Sequence, residues 1–501
     1  MAPALLQVHP DDNVAVAVAP LAAGDAVSVG GLELVVRDDV PAGHKVALRD
    51  LDAGEPVVKY GASLGLTTEP VRAGAWVHSH NLGTALGSLD TYEYRPVQRP
   101  AAASGEVPAF RGYRRADGRV GTRNEIWVVN TVACVNRAAE RIARTANARF
   151  GPGGDGRVDG VHSFQHPYGC SQLGDDLDYT QRVLAGLLRH PNAGGVVVVG
   201  LGCENNRLDV LLERAGDVDR SRIRSFTSQL VGDEVEAGLD LVEELVGIAE
   251  HDRRTECPVS DLVLGVKCGG SDAFSGITAN PLVGRVSDRL TAWDGTVLQT
   301  EVPEMFGAER EVMNRAASPE VFQATVDMVD RFKRYFVGHG QPIYENPSPG
   351  NKDGGLTTLE EKSLGAVQKG GRATVTAVLD YGEPTTEKGL NLIYAPGNDG
   401  VSVTAEVVAG ATVVVFTTGR GTPLGFPVPT LKVATNSDLA ARKPHWIDFD
   451  AGALLDGSAT MDGLADDLFE TIRATASGER RARNEDNDYR EIAIWKDGVT
   501  L

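Results

Sequence analysis

The chain has 501 residues, 42% of them hydrophobic and 24% charged, which excludes a mainly disordered protein and predicts about two to four domains. Its 49 Lys and Arg residues against 69 Asp and Glu give a net charge of -20, which disfavours binding to nucleic acids and to anionic membranes. No apolar run approaches the ~20 residues of a membrane span, and the first residues lack a signal-peptide pattern. We therefore expect a cytoplasmic protein with a small-molecule partner, and homo-oligomer formation stays open.

Residues 1–92 contain short Val-rich runs separated by glycines, without helical periodicity. The runs are Val14–Val18, Leu32–Val36, Val46–Leu48, Val57–Tyr60 and Ala75–His78. Such runs between turn residues are typical of β-strands, so we predict a small all-β domain over residues 1–92. The polar, Pro-containing residues 93–110 cannot bury a core, and we predict an extended linker there.

From residue 111 onward, short apolar runs alternate with helical patterns. The runs are Ile126–Ala133, Gly194–Gly200, Leu262–Val266, Thr374–Leu379, Leu390–Tyr394, Thr412–Thr417 and Leu431–Thr435. Continuous apolar strands of this kind are buried on both faces of a parallel or mixed sheet. The sequence therefore predicts a large α/β region, divided into a catalytic lobe over residues 111–370 and a second α/β lobe over residues 371–501.

Two helices are predicted from stripes of apolar residues. One stripe runs from Val235 to Ala249, and the other from Phe322 to Phe336. Ser318 and Pro319 are typical of a helix start, so the second helix is expected to begin there. We assign both stripes to core packing.

Four of the five cysteines follow an apolar strand or lie beside glycine: Cys134, Cys170, Cys203 and Cys268. Sheets of α/β proteins place their active sites at such strand ends. A single cysteine there is usually a small buried hydrophobe, but four in the same kind of place predict a metal centre. Thiolates favour iron or zinc, and the pattern fits either a mononuclear site or an iron-sulfur cluster.

Histidines are concentrated at one strand end of the β domain. If the run Ala75–His78 continues as a strand, His78 and His80 face the same side, because side chains two residues apart do so. Two imidazoles in one space can act as acid and base or bind one metal ion, and His44 adds a third. The alternative is an exposed pair of histidines at a strand end.

Glycine-rich polar loops are the third candidate feature. They are GLGCENN, CGGSDAFSG, NPSPGNKDGG and TTGRGTP. Backbone amides of such loops can bind anions, and Lys352 and Arg420 supply positive charge beside them. Asn205, Ser271 and Asp272 are further predicted substrate contacts. No P-loop or dinucleotide-binding glycine pattern occurs, which disfavours nucleotides, and tight turns are the alternative role for these loops.

The chain resembles the altronate and galactarate dehydratase family of sugar-acid catabolism over nearly its whole length. The motifs that carry the resemblance are HPDDNVAVA, GHKVAL, VKYGASLG, WVHSHN, GRVGTRNE, YGCSQLGDD, HPNAGGVVVVGLGCENN, CGGSDAFSGITANP, TEVPEMFGAE, ENPSPGNKDGGLTTLEEKSLG, TGRGTPLG, KVATN and HWIDFDAG. The resemblance implies an N-terminal β-clip domain of the SAF type and an α/β catalytic region that needs Fe2+ or Mn2+. It also implies dehydration of altronate to a 2-keto-3-deoxy sugar acid, with galactarate or another hexonate or hexarate as the alternative substrate.

Dehydration of a 2,3-dihydroxy acid requires three things of a protein. The proton beside the carboxylate must be removed, the enediolate stabilised and the departing hydroxyl protonated. A divalent metal meets the second need as a Lewis acid, and the histidines are candidates for the other two. A hinge in the linker would let the β domain close over the substrate. An iron-sulfur centre held by three of the cysteines is the alternative metal centre, and carbohydrate binding without catalysis is the alternative function.

Overall fold

The computed structural model describes residues 3–87, 91–103 and 105–501. Residues 1, 2, 88–90 and 104, which fall within the predicted β domain and linker, lie outside the described residues. Within the described ranges, no helix has the length and apolar character needed to cross a membrane.

Within residues 3–87, nine short strands form the N-terminal domain. They are β1 (Leu5–Leu6), β2 (Val14–Ala17), β3 (Ala26–Val29), β4 (Leu32–Val35), β5 (Lys45–Ala47), β6 (Pro56–Lys59), β7 (Ala62–Thr67), β8 (Trp76–Val77) and β9 (Leu82–Gly83). The strands pair antiparallel in the orders β1-β2-β5-β8, β6-β7-β9 and β3-β4. Each of the five predicted runs overlaps one of these strands, which confirms the small all-β domain.

The predicted linker lies along the surface of the α/β region. Its described residues, before the strand that begins at Ala109, have no helix or strand. The Val97 amide donates to the carbonyl of Asn314 at 3.0 Å, and the Ala103 amide donates to the carbonyl of Ala292 at 2.9 Å. These contacts hold the described part of the linker in place.

A four-stranded parallel sheet forms the first part of the α/β region. The elements of this part are β10 (Ala109–Arg114), β11 (Val120–Gly121), β12 (Glu125–Asn130), β13 (Gly160–Ser163), β14 (Ala193–Gly200), β15 (Ile223–Thr227), β16 (Thr255–Pro258), α1 (Asn136–Phe150), α2 (Gly174–Leu188), α3 (Leu208–Arg214) and α4 (Glu234–Ala249). The sheet order is β13-β12-β14-β15, and β10 pairs antiparallel with β11 and β16. Helices α1 and α4 cover one face and bury Ile142, Val242 and Leu245 against it.

A seven-stranded parallel sheet forms the second part. Its elements are β17 (Val263–Cys268), β18 (Thr296–Gln299), β19 (Val375–Leu379), β20 (Gly389–Ile393), β21 (Val413–Thr418), β22 (Thr430–Ala434), β23 (Phe449–Asp450), α5 (Ala279–Ala292), α6 (Glu309–Met313), α7 (Pro319–Gly338), α8 (Pro349–Asp353), α9 (Leu359–Ala366), α10 (Asp399–Ala409), α11 (Ser437–Arg442), α12 (Met461–Ala476) and α13 (Arg483–Asp486). The sheet order is β19-β20-β18-β17-β21-β22-β23.

Both predicted helices are present, and each begins directly after a residue whose side chain caps it. The Asp233 side chain accepts the amides of Val235 and Glu236 at the start of α4, and the Ser318 hydroxyl accepts the amide of Val321 at the start of α7. A side-chain oxygen in this position satisfies amides that have no partner within the helix.

The predicted boundary between residues 370 and 371 falls inside the seven-stranded sheet. Strands β17 and β18 precede the boundary, and β19 to β23 follow it. Strand β20 pairs in parallel with β18, so the chain before and after the boundary shares one hydrogen-bonded layer. The two α/β sheets instead divide between β15 and β17.

A buried carboxylate joins the N-terminal domain to the α/β region. Glu361 of α9 accepts Lys45 Nζ at 2.8 Å and Lys59 Nζ at 2.9 Å, and its side chain is 0% exposed. Burial would raise the pKa of Glu361, but the two ammonium groups outweigh it and hold the pKa well below its usual range. Thr84 Oγ1 and the Ala85 amide also donate to Glu360. The β domain is thus docked by charge as well as by apolar packing.

We predict that Glu361→Gln lowers the free energy of unfolding by about 3–5 kcal/mol, because it leaves two buried ammonium groups without their anion. The matched control is Glu243→Gln, which removes an ion pair to Arg149 between side chains that are 47% and 61% exposed. That change should cost less than about 1 kcal/mol. Urea titration of each variant measures both values.

The ion pairs of Glu361 also predict how the stability of the fold changes in acid. A carboxyl whose folded pKa is lowered stabilises the fold above its usual value of 4.5 and loses that contribution as the pH falls below it. Wild-type stability should therefore decline below that pH more steeply than the stability of Glu361→Gln. Equal slopes, or a cost similar to that of the control, would contradict the assigned role of Glu361.

Candidate active site

The carboxyl ends of β17, β18 and β21 surround the candidate site. In the sheet, β17 lies between β18, which is the next strand along the chain, and β21. Loops that leave neighbouring strands in opposite directions open a crevice, and open α/β sheets bind ligands in such a crevice. Cys268 is the last residue of β17.

Three buried side chains at this edge offer metal-ligand atoms to one another. Cys268, Glu301 and Glu304 each place one such atom within 4.8 Å of the other two. Cys268 Sγ lies 3.7 Å from Glu301 Oε1 and 3.7 Å from Glu304 Oε2. Glu301 has a left-handed backbone with φ of 70°, which is unusual for a residue other than glycine and is often found at functional sites.

Three lysines surround these donors. Lys369 Nζ lies 3.0 Å from Cys268 Sγ and 2.9 Å from Glu301 Oε2, and Lys267 Nζ also contacts Glu301. Lys362 Nζ lies 2.9 Å from Glu304 Oε1. Lys267 Nζ also lies 3.1 Å from Asp399 Oδ1, so three ammonium groups face three carboxylates and the charges of the cluster balance.

Burial controls the protonation of the cluster. It raises the pKa of the Cys268 thiol to about 11, an effect that the neighbouring carboxylates reinforce and the lysines only partly offset. Burial would also raise the pKa of Glu301, but Lys267 and Lys369 outweigh it and lower that pKa. At neutral pH the thiol is therefore protonated beside a charged carboxylate. A coordinated cation would deprotonate it.

This donor set fits a divalent transition metal. A thiol and two carboxylates combine soft and hard ligands, and Fe2+ and Mn2+ accept such oxygen-rich mixtures. Lys369 bridges Cys268 and Glu301, where it supplies positive charge between two donors.

The short helix α8 collects most of the predicted substrate-binding residues. Lys352 lies on it, and Arg420 Nη1 donates to the carbonyl of Gly350 at 3.3 Å. The carbonyl of Ser271 accepts the side chain of Asn351 at 2.8 Å, while the buried Ser271 hydroxyl has no hydrogen-bond partner among the described residues.

The charges beside α8 are not neutralised in the way that the lysines of the buried cluster are. Within the described part of the chain, neither Lys352 nor Arg420 forms an ion pair with a carboxylate. Two unpaired cations next to an unpaired hydroxyl are suited to an anionic, hydroxylated ligand. Lys362 links this group to the buried cluster, since its Nζ also donates to Asn351 Oδ1 at 3.1 Å.

Two other predicted contacts are occupied within the protein. Asp272 accepts hydrogen bonds from Ser275, Thr435 and Asn436, so its carboxylate organises the loop after β17. Asn205 belongs to the four-stranded sheet, where its side chain accepts the Ser171 amide at 2.8 Å. No described contact joins Asn205 to α8.

The histidines of the β domain surround Trp76. His78 stacks on the indole with ring centroids 5.5 Å apart, and His80 contacts it at 5.2 Å. The indole Nε1 donates to His44 Nδ1 at 3.2 Å, so His44 carries its hydrogen on Nε2, which faces the carbonyl of Asp353 at 3.4 Å. His44 therefore bridges the β domain and α8.

His78 and His80 do not lie on a strand. Strand β8 ends at Val77, and the Asn81 side chain accepts the His78 amide at 2.9 Å to form a turn. The predicted alternation of side chains fails because this turn interrupts the strand. His78 is half-buried with an unpaired Nδ1 among the described residues, whereas His80 is exposed. The His78 ring lies 4.8 Å from that of His44.

The structure divides the four predicted thiol ligands between two sheets. Cys268 lies at the end of β17, whereas Cys134, Cys170 and Cys203 follow strands of the four-stranded sheet and are exposed. Among the described residues, Cys268 is the one cysteine whose sulfur belongs to the compact group of metal-ligand atoms. A single four-thiol centre is therefore not formed.

Sequence reasoning missed the two carboxylates of the cluster. The segment TVLQTEVPE contains the short strand β18 and then both acidic residues, Glu301 and Glu304. An apolar strand followed by acids gives the same signal that identified the cysteines. Strand β18 was not predicted because its apolar run is only two residues long.

The site is closed around its reactive groups. The cavity lined by Cys268, Ser271, Glu361 and Lys362 has a volume of about 10 Å³, close to that of one water. Ligand pockets usually measure about 300–1,000 Å³. Larger clefts of 350 and 440 Å³ lie around Arg119 and His190, at the opposite ends of the strands. A ligand larger than one water therefore does not fit between Cys268 and Ser271 in this arrangement of the loops.

Comparisons with known proteins agree with this architecture. Three family models match consecutive parts of the chain: the altronate/galactarate dehydratase SAF domain at residues 3–85, the D-galactarate dehydratase/altronate hydrolase second domain at residues 112–250, and the D-galactarate/altronate dehydratase C-terminal domain at residues 259–500. The last model covers the entire seven-stranded sheet.

Full-length relatives are similar over almost the whole chain. Altronate dehydratase of Escherichia coli is 49% identical and that of Bacillus subtilis 47% identical, each over 99% of both chains. Galactarate dehydratase (L-threo-forming) of Escherichia coli is 36% identical over 95% of this chain and 93% of its own. The chain therefore belongs to the D-galactarate/altronate dehydratase family of hydro-lyases.

Proposed function

We propose that the protein removes water from altronate to give a 2-keto-3-deoxy sugar acid, with a divalent metal bound at Cys268, Glu301 and Glu304. The observation that carries the proposal is the juxtaposition of this buried donor group with unpaired cations at α8. Identity of 47% and 49% to two altronate dehydratases, against 36% to a galactarate dehydratase, favours altronate over galactarate.

The metal requirement rests on the donor chemistry of the cluster. Fe2+ or Mn2+ held there would act as a Lewis acid on the carboxylate and 2-hydroxyl of the substrate. The lysines of the cluster keep Glu301 ionised, as its lowered pKa indicates, and a bound cation would replace an ammonium contact of this carboxylate. Lys362 orients Glu304 through their 2.9 Å contact.

Substrate recognition is assigned to the loops at α8. Lys352 and Arg420 offer positive charge to the sugar-acid carboxylate, and the unpaired Ser271 hydroxyl is available to a substrate hydroxyl. Asp272 supports the same loop through its internal hydrogen bonds. The contact predicted for Asn205 stays a prediction.

Proton transfer is assigned to the β domain. Burial lowers the pKa of His78 to about 4, an effect that Lys45 strengthens, so the ring is neutral at pH 7 with a free Nδ1 that can accept a proton. His44 positions that ring, since both of its own nitrogens are engaged. The part predicted for His80 in protonating the leaving hydroxyl stays a prediction.

The reaction balances without an oxidant or reductant. The bond between C2 and its hydrogen breaks, and the proton passes to the base, while the electron pair forms the C2–C3 double bond. The hydroxyl on C3 leaves and takes up a proton to become water. The enol that remains tautomerises to the 2-keto-3-deoxy acid, so one substrate yields one product and one water.

Turnover of altronate should far exceed that of galactarate, mannonate or gluconate when the reduced protein is assayed with Fe2+ or Mn2+. Formation of 2-keto acid, measured by mass spectrometry and by a colorimetric assay for 2-keto-3-deoxy acids, reports the reaction. If galactarate were preferred, the assigned substrate would be wrong, whereas the proposed dehydration would stand. Lack of turnover of all four acids would refute the proposed function.

Removing one ligand should remove the metal. Cys268→Ser and Glu304→Gln are each expected to lose most bound Mn2+ and activity, because a site with one ligand fewer holds its ion less firmly. Electron paramagnetic resonance of Mn2+ titrations measures the binding. The control is Cys257→Ala, which changes a buried cysteine of β16 and should bind Mn2+ as the wild type does. Unchanged binding in both ligand variants would contradict the site.

Loss of the proposed base should lower kcat by ~100-fold or more in His78→Asn, the usual size of an acid or base contribution, with metal binding intact. Since the base works unprotonated and its pKa is about 4, wild-type kcat/KM should hold between pH 5 and 8 and fall below about pH 5. An acid limb near pH 6.5 that persists in the variant would assign proton transfer to another group.

A further inference from the structure

Three exposed cysteines lie together on the neighbouring four-stranded sheet and take no part in the proposed dehydration site. Adjacent strands in the order β13-β12-β14 lead into the loops that carry Cys170, Cys134 and Cys203, respectively. The strands run parallel, so their carboxyl ends meet at one edge. All three thiols are free and exposed.

Hydrogen bonds lock the three loops to one another. The Ala133 amide donates to the carbonyl of Tyr168 at 2.9 Å, which ties the Cys134 loop to the Cys170 loop. The Asn206 amide donates to the carbonyl of Gly169 at 3.0 Å, which ties the Cys203 loop to the same segment. The Asn206 side chain also donates to the carbonyl of Thr131 at 2.8 Å. Each loop is thereby bonded to both others.

Close approach of these backbones requires glycine. Gly169 has φ of 99°, and a Cβ built on it would lie 2.2 Å from the carbonyl oxygen of Thr131. Gly202, next to Cys203, has φ of 128°. The side-chain Nε2 of Gln229 donates to Cys203 Sγ at 3.6 Å, and hydrogen bonds to cysteine sulfur help to set the reduction potential of iron-sulfur clusters. The glycine at position 169 therefore lets the loop that carries Cys170 approach the loop that carries Cys134 closely.

The three sulfur atoms are not arranged as they would be around a single tetrahedral ion. Metal–sulfur bonds of ~2.3 Å place the thiolates of such a site about 3.8 Å apart. The three sulfur atoms do not all lie within 4.8 Å of one another. An iron-sulfur cluster is larger than one ion and is bound by cysteines that are farther apart, one at each iron.

We propose that Cys134, Cys170 and Cys203 bind a [4Fe–4S] cluster, a second metal centre distinct from the Cys268 group. Three thiolates leave one iron without a cysteine ligand. Within the described residues, the nearby Glu204 is engaged by Thr131 Oγ1 and by the amides of Leu201 and Gly202. The fourth iron is therefore open to water or to an oxygen-donor ligand from solution.

This inference does not rest on the proposed dehydration, because the two groups share no residue. The test is reconstitution of the full-length chain with ferrous iron and sulfide under anaerobic conditions, followed by desalting. Iron, acid-labile sulfide and the visible spectrum are then measured for the wild type and for Cys134→Ser, Cys170→Ser and Cys203→Ser. Cys257→Ala and Cys268→Ser serve as matched thiol controls.

The wild type and both controls should turn brown and contain about four iron and four sulfide per chain, as expected of one cubane cluster. Each of the three serine variants should lose most of the sulfide and the visible absorbance. Thermal unfolding checks that the variants fold, which the exposure of the three side chains favours. Loss of the cluster in the Cys268→Ser control alone would move the cluster to the other site and overturn the inference.

Two further outcomes would also overturn it. One is wild-type protein without acid-labile sulfide after reconstitution, whether or not it contains zinc. The other is a full complement of sulfide in all three serine variants. Failure of altronate turnover with the cluster intact would refute only the proposed function.

Discussion

A single buried carboxylate, Glu361, holds the β domain against the α/β region beside the candidate site. Its two lysine partners come from β5 and β6, which belong to different sheets of the β domain, and Thr357 of the α/β region also donates to it. Charges in the interior are stable only when they are paired and hydrogen-bonded, so this contact fixes the position of the β domain narrowly. The placement of Trp76 and its histidines over α8 follows from that contact.

The acidic character of the chain conceals an interior rich in cations. The net charge of -20 resides largely on the exposed surface, whereas Lys45, Lys267 and Lys369 are fully buried near the site. Low dielectric strengthens their action on neighbouring carboxylates and on any bound anion. The chain as a whole is therefore acidic, while its interior near the candidate site is rich in cations.

Local patterns were sufficient to predict the fold, and the site only in part. Apolar runs such as Gly194–Gly200 are buried on both faces, and burial of that kind is visible in the sequence as continuous valine. Arg420, Ser271 and Lys352 were predicted from glycine-rich loops, which are a local signal, and the structure brings these loops together at α8, while their contact with substrate stays a prediction. The pairing of Glu301 with Cys268 was not predictable, because it depends on which strands become neighbours in the sheet. The turn after Val77 was missed for a similar reason, since the side chain of Asn81 decides it.

The ion pairs of Glu361 determine which groups would meet solvent if the β domain moved away from the α/β region. A sugar acid cannot enter a cavity the size of one water unless the surfaces around Glu361 or the adjacent loops part. Parting of Glu361 from Lys45 and Lys59 presents charged groups to solvent, which hydrates them at once. A contact of equal area made of leucine and phenylalanine would expose an adhesive patch in every cycle, and such patches cause aggregation. Beside the apolar part of the contact, the charges paired at Glu361 would thus reduce the adhesive surface that such an opening exposes.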